Sequence, residues 1–117
     1  MSPEKQEKLL RFLDENTAGC RRRGAALAAD GRDDEAKFEK IRGNVYDIFK
    51  TVLLAGDKAG SAEVFWRNLE DIPARWQAAY QQAEAHGDHT AAHIERIKLA
   101  AAADIRAAAG QREEEGI

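Results

Sequence analysis

The three histidines are the residues whose spacing first suggests chemistry. His86, His89 and His93 fall within eight residues, in His86-Gly87-Asp88-His89 followed one helical turn later by His93. An i,i+4 pair on a helix sets two imidazoles side by side, close enough to share one divalent metal, with Asp88 or His86 placed to add a ligand from the turn before it. The same residues also read as an exposed helix start, where polar side chains are unremarkable. A structural zinc site usually takes four ligands, and a turn this short does not readily aim them at one point. No metal and no cofactor are therefore expected, and a transition-metal site at His86, His89 and His93 stands as the alternative.

Cys20-Arg21-Arg22-Arg23 is the densest basic run, and arginine forks suit phosphate. Consecutive helical residues fan out by about 100° each, so the three do not form one patch. The whole chain carries a formal net charge of -3, and no aromatic residues interleave with the run, so no nucleic-acid partner is expected. Cys20 is the only cysteine, which excludes an internal disulfide and any multi-thiolate metal site. It lies on an apolar stripe, where a buried small thiol is the ordinary case and a nucleophile needs a base brought to it by folding. The acids Asp30, Asp33, Asp34 and Glu35 lack the ligand alternation and glycine placement of a calcium loop, and read as turn and cap residues. Glu-x-x-His, phosphate-binding glycine loops and the nucleophile elbow are absent, so neither ferritin-like metal chemistry nor any other enzyme activity is indicated.

The remaining candidates are aromatic and apolar. Phe38, Phe49, Phe65, Trp66, Trp76 and Tyr80 are more often core than ligand pocket. Phe38, Ile41, Val45, Ile48 and Val52 recur at spacings of three and four, and Tyr46, Phe49 and Leu53 widen that seam to an arc of roughly 160°, more than one neighbouring helix needs. A grouped surplus of this kind marks a partner surface, so Tyr46, Phe49, Leu53 and Trp66 are expected at an interface with a second copy, as a homodimer, or with another protein.

The elements that must position these residues are helices. The chain has 117 residues, of which twenty-three are alanine and only two proline, and a domain of that size buries a core without staples. Ser2-Pro3 reads as an N-cap with proline at the first helical position, opening a helix over 3–30 with Leu9, Leu13, Cys20 and Leu27 on one face. A turn at Asp30-Gly31 leads to a second helix over 33–55, and the glycines of 54–61 mark the next connection. The third helix, 61–86, places Phe65, Leu69, Ile72, Trp76, Ala79 and Ala83 on one face and is expected to kink at Pro73, a break capped by Asp71 being the second choice. Gly87 and Asp88 lead to the fourth, 88–109, with Ile94, Ile97, Ala101, Ile105 and Ala108 inward, and a frayed tail over 110–117. Four long helices with short connections predict an all-α, antiparallel up-down four-helix bundle in a single domain. With no apolar leader and no run of about 18 apolar residues, the expected setting is cytoplasmic and away from membrane.

Overall fold

The computed structural model describes residues 1–112, and the residues of the expected tail beyond them lie outside that range. The chain is an antiparallel up-down bundle of four helices: α1 (Pro3–Ala29), α2 (Asp33–Lys58), α3 (Glu63–Ala85) and α4 (His89–Ala109). Ser2 caps α1, its hydroxyl accepting the Lys5 amide at 3.2 Å, and Pro3 takes the first turn, where its missing N–H costs nothing.

All three connections use one stop. Gly31, Gly60 and Gly87 adopt positive φ, and the amide after each returns to a carbonyl five residues back: Arg32 to Leu27, Ser61 to Gly56 and Asp88 to Ala83. The second stop falls later than the glycine content suggests. Gly56 is buried inside α2, because a Cβ there would lie 2.8 Å from the Ser61 carbonyl oxygen. It permits a close return of the chain, and α2 continues to Lys58.

Two side-chain contacts fix the order of the helices in space. The Phe38 ring meets that of His93 edge-on, and the Tyr46 hydroxyl meets Asp104, so α2 and α4 run in the same direction and touch. α1 and α3 lie on opposite flanks of this pair, their backbones apart and only side chains such as Lys5 and Trp66 meeting between them. The cross-section is thus a rhombus with α2 and α4 on its short diagonal, and the molecule measures 51 × 34 × 20 Å. Small residues allow the close approaches: Ala101 and Ala102 are buried on α4, and at the α1–α2 crossing a Cβ on Gly43 would stand 3.1 Å from that of Cys20.

Because α2 has three neighbours, its apolar residues are shared among them. Val45, Tyr46, Phe49 and Leu53 are buried with Leu9, Leu13 and Cys20 of α1, Phe65, Trp66 and Leu69 of α3, and Ala101, Ala102, Ile105 and Ala109 of α4. Of the evenly spaced series that runs from Phe38 to Val52, only Val45 is fully buried, and Ile48 is 40% exposed. The core is also uneven along the molecule. Where the Gly31 and Gly87 turns lie, residues 21–42 and 74–96, Ala92 is the only fully buried side chain. The largest buried residues, Leu13, Phe49, Phe65, Leu69 and Ile105, sit toward the Gly60 end, with Cys20, Val45 and Ile97 near the middle.

α3 runs unbroken through Pro73. Proline donates no hydrogen bond, so the Leu69 carbonyl four residues back lacks its helical partner. Arg106 of α4 supplies one, its Nη2 donating to the Leu69 oxygen at 2.8 Å.

Candidate functional site

The four side chains expected at an interface are buried in the chain's own core: Tyr46, Phe49 and Leu53 are at most 2% exposed and Trp66 is 9% exposed. Their surplus arc is covered from three sides. Phe12 of α1 meets Tyr46 edge-on at 6.1 Å between centroids, Trp76 of α3 meets Phe49 at 6.4 Å, and Phe65 packs on Trp66 at 5.3 Å. The ammonium of Lys5 lies 5.6 Å from the Trp66 ring centroid, closing its outer side. A square bundle gives each helix two neighbours, and that geometry overstates how much of α2 is left uncovered. The apolar surface that does remain outside is Ile48 and, at 42% exposure, Leu54, with Ile41 and Val52 half-buried beside Ile48.

The histidines do not gather. His86 is turned to its own helix, its Nδ1 lying 2.8 Å from the Gln82 carbonyl oxygen, while the His93 ring stands 4.7 Å from that of Phe38. Among the described residues, no group of three or more histidine, cysteine, aspartate or glutamate side chains is arranged to hold a metal ion. Asp88 acts as a cap, its carboxylate accepting the Ala91 amide at 3.0 Å.

Cys20 is buried at the α1–α2 crossing, with Arg23 Nη2 at 3.4 Å from its sulfur and Arg23 Nε at 3.3 Å from Glu39 Oε2. Burial pushes the thiol pKa up, the Glu39 carboxylate adds to this, and Arg23 opposes it. A raised pKa keeps the sulfur protonated, the wrong direction for a nucleophile. The groove over this crossing holds 470 Å³ between Thr17, Gly24, Lys40 and Asn44. A larger cavity of 930 Å³ opens at the Gly60 end between Leu10, Leu53, Trp66, Gln6 and Glu63, but Glu63 is already paired with Arg112 and Arg67. The smaller groove brings Cys20 beside Glu39, Lys40 and Asp47, but burial favours the protonated thiol there.

Two buried polar atoms have no hydrogen-bond partner among the described residues, Arg42 Nε and Glu95 Oε2. Glu95 Oε1 takes Lys98 at 3.1 Å, and Lys98 in turn lies 5.7 Å from the Trp76 ring centroid. The tie between Arg106 and Leu69 was legible only in part, since Pro73 signals the orphan carbonyl but not the arginine that reaches it. No helix of the described residues is long and apolar enough to cross a membrane. No family model, no curated protein and no solved structure gives a match to this chain.

Proposed function

We propose that the chain is a non-enzymatic helical module that acts through protein contacts, with a second copy of itself as first partner. The outer stripe of α2 supports this reading. Ile41, Ile48 and Val52 are spaced by seven and four residues and so lie on one side of the helix, and Ile48 keeps 40% of its surface exposed. A helix–helix contact of this kind is self-complementary about a two-fold axis, because the same stripe is presented by both copies. The buried, protonated Cys20 suits a reducing compartment, and cytoplasmic placement belongs to the same proposal.

Light scattering on the eluting protein at tens of micromolar tests the reading. The expected result is a dimer mass that Ile48→Glu converts to that of a monomer while the helical circular dichroism is preserved. A clean monomer for the unmodified chain at every concentration removes the self-association, and Ile48→Glu dimers would move it away from this stripe.

A further inference from the structure

We propose that two copies pair antiparallel through the outer face of α2, with Asn44 at the two-fold axis and Lys40 of each copy meeting Asp47 of the other. This rests on the self-association proposed above and gives it an orientation and a register. The direction of the face follows from what already covers α2. Gly43 marks the side packed on Cys20 of α1, Tyr46 the side toward Asp104 of α4, and Phe49 the side toward Trp76 of α3. At 100° per residue these three fall about 60° apart in turn, and Asn44 lies about 160° from Tyr46, on the side that no other helix covers. Lys40, Asn44, Asp47 and Ile48 are exposed there, with Ile41 half-buried beside them.

The charges on this face select the partner's direction. Several charged residues of α2 are paired within the chain: Lys50 with Asp14, Glu39 with Arg23 and Glu35 with Arg32. Among the described residues, the side chains of Lys40 and Asp47 have no hydrogen bond and no ion pair, and both stand with Asn44 at the rim of the groove over the α1–α2 crossing. They cannot reach each other, because seven residues carry the helix about 10 Å along its axis. A parallel copy sets each charge level with its own kind, whereas an antiparallel copy brings Lys40 opposite Asp47 twice. Lys40 stands four residues before Asn44 and Asp47 three after, while Ile41 stands three before and Ile48 four after. One axis at Asn44 therefore serves both the ion pairs and the isoleucine pairs to within about half a residue. Charges flanking a helix seam set the orientation of the pair, and one polar residue within the seam sets its register. The two Asn44 amides, each a donor and an acceptor, satisfy one another across the axis.

Light scattering on the full chain over a concentration series, with circular dichroism to confirm the helical fold of each variant, tests this. Lys40→Asp and Asp47→Lys should each weaken the dimer by about tenfold, because each replaces two attractive pairs by two repulsive ones. An equimolar mixture of the two variants should recover the dimer at the concentration the unmodified protein needs, since one chain then presents two acids and the other two lysines. An unmodified protein that stays monomeric removes the self-association itself, and the pairing with it. A dimer that neither variant weakens leaves the self-association standing and overturns the antiparallel pairing. So do opposite effects of the two variants, which net charge alone would give, and a mixture that dimerises no more tightly than its components.

Discussion

Tyr46 keeps its ring beneath Phe12 and its hydroxyl 3.3 Å from the Asp104 carboxylate, almost wholly out of water. Burial, and then the charge and hydrogen bond of Asp104, push its pKa up to about 12. An unfolded tyrosine titrates near pH 10. Between about pH 10 and about pH 12 the unfolded chain therefore gives up a proton that the folded chain retains, so stability falls with rising pH across that window. Removing the hydroxyl removes this slope. Urea unfolding at a series of pH values should show the advantage of the unmodified protein over Tyr46→Phe shrinking by about 2 kcal/mol from pH 9 to pH 12, in proportion to the shift. Parallel curves for the two proteins would show that Tyr46 titrates alike in both states. At this scale the sequence was informative about single residues and silent about pairs. Cys20 was legible as a buried thiol because it falls on the stripe of α1, and Pro73 as the source of an orphan carbonyl. Arg23 with Glu39, Tyr46 with Asp104 and Arg106 with Leu69 were not, since each partner arrives from a different helix.

The helices themselves were largely legible, because alanine-rich periodic segments bounded by glycine stops leave little choice of structure. Where the sequence misled, a glycine had a second use. Gly56 resembles a stop but is a point of close approach, and the real stop is Gly60. The seam of α2 was also misjudged in phase: even spacing pointed to Ile41 and Ile48, whereas the presence of three neighbours turned Tyr46, Phe49 and Leu53 inward. The helix starts carry a prediction. Arg32 and Asp88 precede α2 and α4 with nearly the same backbone, φ -93 and ψ 67 against φ -86 and ψ 85, yet only Asp88 caps its helix. An asparagine at 32 is thus placed to accept the Glu35 amide as Asp88 accepts that of Ala91, without adding charge to the acids that follow. What it gives up is the exposed ion pair of Arg32 with Glu35, which is worth little. Arg32→Asn should stabilise the fold by about 0.5–1 kcal/mol and Asp88→Ala destabilise it by about 1 kcal/mol, seen as opposite shifts in the thermal midpoint. Shifts of the same sign would mean that the shared backbone geometry does not decide capping.

At the scale of the molecule, the bundle was legible and its cross-section was not. Periodicity measures how wide an apolar face is, but the number of helices covering it depends on which pairs approach closely, here α2 and α4 as well as the sequential neighbours. That diagonal contact absorbs the width first read as a partner surface. It also leaves a long, thin body whose close-packed core lies toward one end, with Phe49, Phe65, Leu69 and Ile105 near the Gly60 end and Ala92 alone fully buried at the other. The part of α3 after Pro73 belongs to the sparsely packed end, as do the last turns of α1. Equivalent truncations should therefore cost very different amounts. Ile105 is completely buried, and Ile105→Ala leaves a cavity among residues from several helices, for a loss of about 3 kcal/mol. Leu27 is half-exposed near the Gly31 turn, where alanine forfeits part of one side chain's burial but opens no enclosed void, for a loss below about 1 kcal/mol. Urea titrations should give unchanged slopes and a much larger fall in midpoint for Ile105→Ala. Equal falls would mean that the two ends contribute alike to stability and that the uneven core has no energetic counterpart.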